Sequence, residues 1–389
     1  MNRKQRRAQG KASRPEVSAG NAAADPIALH EAGIQAYRAG DLDRAAALIS
    51  QAIAFNGGVP SFHYNLGIVL KASGRPQEAA ASYERAVALK PDYVDAHNNL
   101  GNVWKLLGRR DEARTCFERA LQYSPGNADT HYNLGVLCSE LGLRGEAEGH
   151  FRHCLACDPD DRRGAAILLA HLGAGDVPKR TTQAQLLSIY DVRSRFWDQE
   201  RSYFGATLVV EGLGRHASAA GRDILDMGCG TGLVGAAVRN LARRLDGVDI
   251  SPAMLEKATA KGVYDQLFES DLQSFLEGRE KSYDAVLAAA TLIHFGDLKP
   301  LFAAISCALR DGGLFVFTLF LDESSSADYG VTLLDKLAES GCFRHGLSYV
   351  ERLAAESGFS VLELGKVVHE HDQNGNPVSG ILAVLRVMR

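Results

Sequence analysis

Small and large apolar positions in the first half of the chain recur with a single period. Gly33, Gly67, Gly101 and Gly135 stand 34 residues apart, as do Gly40, Gly74, Gly108 and Gly142. Ala45, Ala79, Ala113 and Ala147 keep the same interval, and Ala52, Ala86 and Ala120 continue to Cys154. Between them lie Ile49, Tyr83, Phe117 and Phe151, each followed four residues later by Ile53, Val87, Leu121 and Leu155. A spacing of four puts both residues on one helical face. The pattern predicts four stacked helix pairs, with small residues where helices approach and large ones filling the space between. Gly40, Gly74, Gly108 and Gly142 fall where a first helix should stop, and glycine accepts the left-handed end conformation. Pro91, Pro125 and Pro159 break the second helix of their units. The first unit has Gly57 in place of that proline, which suits a terminal unit.

After Pro159 the period falters. AAILLAHLGAGDVPKR reads as a closing helix followed by a joint at Gly173, Gly175 and Pro178. From about residue 181 the pattern changes. QLLSIYDVRSRFW and FGATLVVEGL read as helices. DILDMG, RRLDGVDI, YDAVLAAATLI and GGLFVFTLF read as buried strands, with LFESDL as a loop. PAMLEKATAKG and LKPLFAAISCALR lie between them as helices. This alternation predicts a mostly parallel sheet covered on both faces. FSVLELGKVVHEH, QNGNP and GILAVLRV predict a closing antiparallel hairpin around an asparagine-glycine turn. The expected architecture is an all-α repeat solenoid followed by an α/β Rossmann-like domain. Its expected segments are a basic tail over 1–26, repeats over 27–160, a closing helix and linker over 161–180, and the α/β domain over 181–389.

The chemistry concentrates at ILDMGCGTGLVG, residues 224–235, whose last six residues are a literal G-x-G-x-x-G. That pattern after a strand suits a dinucleotide, and Asp249 in LDGVDIS suits ribose hydroxyls. Asp226, just before the glycines, discriminates. A pyrophosphate there would meet a negative charge. S-adenosylmethionine carries no phosphate but an ammonium and a sulfonium, which a carboxylate attracts. A nicotinamide oxidoreductase is the less favoured alternative.

With ILDMGCGTG, GVDIS and SDL in this order, the second half resembles the class I S-adenosylmethionine-dependent methyltransferases over about 181–389. The first half resembles the tetratricopeptide repeat over about 27–160. Together they are similar to the bacterial family of methyltransferases carrying such repeats. The resemblance implies S-adenosyl-L-methionine as cofactor. It implies that Asp226 holds the methionine ammonium, directly or through water, and that Gly228, Cys229, Gly230 and Gly232 let the backbone pass close to the ligand. By the same resemblance Asp249 binds the ribose, Ile250 and Met254 sit on the adenine, and Asp271 with Leu272 offers the adenine amino group an acceptor. Ala288 and Ala289 line the methionine side, and Tyr190 lies over the cofactor in an N-terminal lid. Where the family pattern often carries an acid after the two alanines, this chain has Ala290. His294, just past the fourth strand, is the candidate general base, with Thr291 a weaker one. In the repeats, Asn65, Asn99 and Asn133 recur at 34 residues, at a position that faces the concave groove in the repeat family. An amide column there can bond the backbone of a protein or peptide partner.

Other features change the picture little. A net charge of −4 over 389 residues gives no reason to expect nucleic acid or a membrane surface. No apolar run suggests a membrane span. Seven scattered cysteines and no signal-peptide pattern are read as reduced thiols in a cytoplasmic protein. MNRKQRRAQGKASR is read as a solvated basic tail. His63, His97 and His131 recur at 34 and are expected to be packing residues, since helix spacing keeps them too far apart to share a metal. HFRHCLAC, on the last helix of a repeat, is likewise not expected to bind metal. The expected function is methyl transfer to an unidentified acceptor, with repeats that dock a protein or peptide. The alternatives are a small-molecule methyltransferase whose repeats serve assembly, and a non-catalytic adaptor.

Overall fold

The computed structural model describes residues 25–195, 197–199, 202–217, 220–323, 329–330, 342–372 and 374–389. The basic tail expected over 1–26 therefore lies almost wholly outside the described residues. The chain divides into two compact units, residues 1–125 and 126–389.

The first unit is built of three antiparallel helix pairs: α1 (Pro26–Arg38) with α2 (Leu42–Phe55), α3 (Pro60–Ala72) with α4 (Pro76–Leu89), and α5 (Val94–Leu106) with α6 (Arg110–Tyr123). The periodic residues show why. A Cβ added at Gly67 would stand 2.6 Å from the Tyr83 ring, and one at Gly101 would stand 2.6 Å from the Phe117 ring. Glycine on the first helix thus admits the aromatic ring of the second. Gly40, Gly74 and Gly108 adopt φ of +82°, +71° and +76° just past the first helix of each pair, a conformation that costs glycine nothing.

The second unit opens with the fourth pair, α7 (Ala128–Glu140) and α8 (Arg144–Cys157), where Gly135 faces Phe151 in the same way. The closing helix α9 (Ala165–His171) is capped by Asp161, whose carboxylate accepts from the N–H groups of Ala165 and Ala166. Helices α10 (Gln183–Arg193) and α11 (Gly205–His216) then lead into the sheet.

Its strands are β1 (Arg222–Met227), β2 (Ala242–Asp249), β3 (Gln266–Glu269), β4 (Tyr283–Ala288), β5 (Leu309–Leu321), β6 (Tyr329–Gly330), β7 (Arg344–His345), β8 (Phe359–His371) and β9 (Pro377–Val387). The order β3-β2-β1-β4-β5 is parallel, and β9 and then β8 continue it antiparallel beside β5. The short β7 and β6 attach at the far end of β5. LFESDL, expected as a loop, instead contributes β3. That strand is only four residues long and none of its residues is buried, so it lacks the apolar run that marks its neighbours. Helices α12 (Leu233–Val238), α13 (Pro252–Lys261), α14 (Leu272–Leu276), α15 (Lys299–Ala308) and α16 (Leu347–Glu356) cover the faces. One face is buried by Leu301, Phe302, Ile305 and Leu353 against Phe315 and Phe317, the other by Val209, Leu213, Val234 and Val238 against Ile224, Leu245 and Val316. No described helix is long and apolar enough to cross a membrane.

Candidate active site

The strand order reverses between β1 and β4, and ligands of open α/β sheets bind beyond the carboxyl ends of strands at such a switch point. A cleft opens there. Its floor comes from residues just past four strands: Gly228, Cys229 and Gly230 after β1, Asp249 and Ile250 at the end of β2, Ser270 and Asp271 after β3, and Ala289 after β4. The loop after β1 turns tightly, with Gly228, Gly230 and Gly232 at φ of +70°, +54° and +90°. A Cβ at Gly230 would meet nothing within 4 Å, so that glycine serves backbone conformation and leaves open space beside it.

Asp249 is oriented by its own backbone surroundings. Gly230 N–H donates to Oδ2 at 2.8 Å and Ser251 N–H to Oδ1 at 2.9 Å. Burial pushes its carboxyl above the usual range, against the pull of these donors. Cys229 is buried, and burial, then the charges of Asp226 and Asp249, push its thiol well up, so it is a neutral, inert group. Asp271 bonds the Gln273 N–H at 3.1 Å and pairs with Arg180 at 2.8 Å. Ile250, Met254 and Leu272 supply an apolar wall.

The opposite side is aromatic. Tyr190 from α10, Trp197 from a short 3₁₀ turn (Trp197–Gln199), and Tyr203 succeed one another with ring centroids 6.0 and 5.5 Å apart. Tyr190 Oη lies 2.6 Å from His294 Nε2. His294 sits in the turn after β4 and is 5% exposed. Its loop is tied to the segment before α10: Thr181 N–H donates to the His294 carbonyl, and Gly296 and Asp297 N–H donate to that of Lys179. Ala290 holds φ +52° in this loop, an uncommon value for a residue with a Cβ, and its N–H is held by Thr318 Oγ1 at 3.0 Å. The 3₁₀ turn is fastened to the glycine loop by Asp198, which accepts from Thr231 Oγ1 at 2.5 Å and from Lys261 Nζ at 2.7 Å.

Of the expected site residues, Tyr190, Gly228, Cys229, Gly230, Asp249, Ile250, Met254, Asp271, Leu272, Ala289 and His294 line one cleft. Asp226, Gly232 and Ala288 do not line it. Asp226 is 1% exposed and turned toward Tyr264, whose hydroxyl donates to Oδ2 at 2.6 Å. Gly232 is the N-cap of α12, and Ala288 is fully buried within β4. In the repeats, Asn65 Nδ2 bonds His30 Nε2 at 2.8 Å and Asn99 Nδ2 donates to Tyr64 Oη at 3.1 Å. Asn133 Oδ1 accepts from Arg163 at 3.4 Å. His63 and His97 bond the carbonyls of Gly57 and Pro91, and His131 meets His150 at 3.1 Å. No group of three or more side chains able to hold a metal occurs among the described residues.

A family model described as a methyltransferase domain matches residues 225–317, the span from β1 into β5. Tetratricopeptide-repeat models match residues 69–108 and 94–127. Methyltransferase-like protein 27 of Homo sapiens is 34% identical over 181 residues, which are 44% of this chain and 73% of that protein. The chain belongs to the class I methyltransferase family, with tetratricopeptide repeats ahead of the catalytic domain. A ubiquinone biosynthesis O-methyltransferase of Nitrosococcus oceani is 30% identical over 158 residues, 36% of this chain and 66% of that protein. The chain thus spans just under two thirds of that relative. An O-methyltransferase of Aspergillus sclerotiorum is 26% identical over 182 residues, 43% of this chain and 68% of the relative.

Several residues of this methyltransferase's site carry no signal in the sequence. Trp197, Tyr203, Arg180 and Phe295 line the cleft, yet they come from a helix-like stretch, a linker and a loop. Only the partner found in space gives each a place: Arg180 meets Asp271, 91 residues away.

Proposed function

We propose that the cleft binds S-adenosyl-L-methionine and that the enzyme methylates a hydroxyl on a planar, ring-bearing acceptor. Tyr190 against His294 at 2.6 Å, on an aromatic wall facing the glycine loop, carries this reading. The cofactor fits the floor. Asp249 presents an oriented carboxylate to ribose hydroxyls, Ile250, Met254 and Leu272 offer an adenine slot, and the open backbone at Gly230 admits the amino-acid end. Asp226 beneath the loop favours a cationic ligand over a pyrophosphate. Bound there, the cofactor supplies an electrophilic methyl group on a sulfonium.

The chain's own residues do the rest. Burial pushes the Tyr190 hydroxyl far above its ordinary range, so Tyr190 keeps its proton beside His294 Nε2. In the tautomer protonated at Nδ1, Nε2 accepts from Tyr190 and carries the lone pair that a general base requires. An acceptor hydroxyl entering beside Tyr190 replaces it at Nε2 and gives up its proton there. Trp197, Tyr203 and Phe295 hold the acceptor ring and exclude water. The carboxylates lining the cleft, Asp249 and Asp271, are both on the floor side and already bonded. Among the described lining residues, a lysine or arginine acceptor would meet no carboxylate other than these two. Two of the relatives, those of Nitrosococcus oceani and Aspergillus sclerotiorum, are O-methyltransferases, in agreement with this.

The test uses the full chain, S-adenosylmethionine, catechol as the oxygen acceptor and a lysine-bearing peptide as the competing acceptor. O-methylation of catechol, reduced about 10²- to 10⁴-fold in His294→Ala with cofactor binding retained, is expected. Methylation of the peptide nitrogen, or an undiminished His294→Ala rate, would refute it.

The repeats, in the same reading, dock an extended protein or peptide partner. The amide nitrogens of Asn65 and Asn99 are already bonded within the chain, so their carbonyl oxygens are the groups offered to a partner's N–H donors. Binding of a degenerate peptide pool to the full chain is expected to weaken in Asn65→Ala and Asn99→Ala. Unchanged binding would remove the amide column from the docking surface.

A further inference from the structure

Tyr264 lies between α13 and β3, in the unremarkable stretch GVYDQ. Its ring fills a notch cut by three glycines. A Cβ added at Gly235 would stand 2.3 Å from Tyr264 Cζ, one at Gly247 2.9 Å from Cε1, and one at Gly232 3.0 Å from Cε2. Real Cβ contacts at these distances force something to move. Two of the three glycines belong to the G-x-G-x-x-G run, and the third is in β2. The hydroxyl at the end of that ring reaches Asp226 Oδ2 at 2.6 Å. The N–H of Gly235, in the first turn of α12 where no intrahelical acceptor exists, favours the charged form of the same carboxylate.

We infer that Tyr264 is a positioning residue of this methyltransferase: its hydroxyl orients Asp226 beneath the cofactor loop and favours its anionic form, and its ring fixes that loop against β2. The inference rests on the cofactor reading above.

The physical case is a matter of what surrounds a buried carboxylate. Asp226 is 1% exposed and lies behind the cleft floor. Its charge still reaches the cleft, because it contributes to raising both the Cys229 thiol and the Tyr203 hydroxyl, two lining groups. The groups facing it are Tyr264 from the α13–β3 connection, the Gly235 N–H from α12, Cys229 from the glycine loop, Asp249 from the end of β2, and Tyr203 from the segment before α11. No cation is among these described groups. Burial raises the Asp226 carboxyl to about 7 although the Tyr264 hydroxyl and then the Gly235 N–H pull it down, and the Asp249 charge adds to the rise. Tyr264 itself stays protonated, because burial and the neighbouring Asp226 charge push its hydroxyl far up. It is therefore a fixed donor. Removing that donor favours the neutral acid, which no longer attracts an ammonium.

S-adenosylhomocysteine, which retains the ammonium, is the probe. Its affinity for the full chain is measured by calorimetry from pH 6 to 8 in wild type, Tyr264→Phe, Asp226→Asn and the double variant, with thermal melts alongside. Phenylalanine keeps the ring in its notch, so the fold is expected to persist. Wild-type affinity should fall as pH drops through about 7. In Tyr264→Phe the fall should move to higher pH by about one pH unit, giving roughly fivefold weaker binding at pH 7 and approaching tenfold at pH 6. In the Asp226→Asn background the same change should alter affinity by no more than about twofold. A Tyr264→Phe profile that overlays wild type would overturn the inference. So would an equal loss in the Asp226→Asn background, which would mark Tyr264 as packing alone. Wild type that fails to bind at every pH would instead overturn the cofactor reading, and the inference with it.

Discussion

Gly101→Ala tests the packing rule of the repeats. The new Cβ would stand 2.6, 2.8 and 2.9 Å from Cε1, Cδ1 and Cζ of Phe117, against about 3.5–4.0 Å for an ordinary carbon contact. Phe117 is fully buried, so its ring has no solvent side to swing into. Overpacking of this kind costs about 1–3 kcal/mol, and three ring atoms within 3 Å point to the upper part of that range. Against it, alanine gains about 1 kcal/mol of helix propensity over glycine. The net expectation is a loss of about 1–2 kcal/mol. A chain of two compact units need not unfold in one step, so the readout is amide hydrogen exchange across α5 and α6 in the full chain. Those amides should exchange about 5- to 30-fold faster, while amides of β1 and β4 keep their wild-type rates. In a Phe117→Leu background the smaller side chain makes room, and the Gly101→Ala penalty should vanish. Slower exchange in Gly101→Ala alone would mean that propensity outweighs contact, and the close-approach account of the glycine column would fall.

Two further outcomes follow from the second unit. Asp198→Ala removes the bonds to Thr231 and Lys261 that fasten the Trp197 turn to the glycine loop. Asp198 and Lys261 are 40% and 26% exposed, so the pair is worth no more than about 1 kcal/mol. S-adenosylhomocysteine should bind about threefold more weakly, and exchange near Tyr190 should quicken. Unchanged values for both would show that the turn is held by its aromatic contacts alone. Asp223 receives hydrogen bonds from Arg243 and Arg310, whose guanidinium groups hold its carboxyl down at about 2, below the ordinary 3.8. A depressed carboxyl contributes stability that is complete above its unfolded pKa and is lost as pH falls through the folded value. Asp223→Asn should therefore be less stable than wild type at pH 7, with the gap closing between about pH 4 and pH 2. Denaturant unfolding at those pH values checks it, and a gap that persists at pH 2 would assign the loss to packing.

How much was legible depended on whether a residue's partner lay within reach of a local pattern. The repeats were readable because Gly67 and Tyr83, or Gly101 and Phe117, sit 16 residues apart in every unit, so one geometric need is written several times. β1, β2, β4 and β5 were readable from apolar runs that are buried on both faces. β3 was not, because a four-residue edge strand that buries nothing needs no apolar run. The cleft floor was legible through the glycines and Asp249, since those residues obey a backbone requirement at strand ends. The opposite wall was not. Tyr190 and His294 were singled out separately, 104 residues apart, and nothing in either segment says that the two touch. Tyr203 and Arg180 owe their places to long-range contacts with His369 and Asp271, Trp197 to the rings of Tyr190 and Tyr203 on either side of it, and Asp198 to bonds with Thr231 and Lys261.

The G-x-G-x-x-G run shows why a local fingerprint underdetermines its ligand. Its three glycines answer to different demands. Gly230 turns the backbone at φ +54° with open space where a side chain would stand, a demand made by the cleft. Gly232 caps α12 at φ +90°, a demand made by the chain's own turn into a helix. Gly235 has no positive φ, and its missing Cβ would collide with Tyr264, a demand made by a ring packed behind the loop. Only the first of these concerns a ligand. A dinucleotide enzyme and a methyltransferase can therefore share the whole run, because two of its three glycines are fixed by turning and packing. The discriminating information lies in the charge set behind the run. Here that charge is Asp226, held by Tyr264, so under the proposed cofactor reading the third glycine bears on the ligand after all, through the ring it admits and the carboxylate that ring holds.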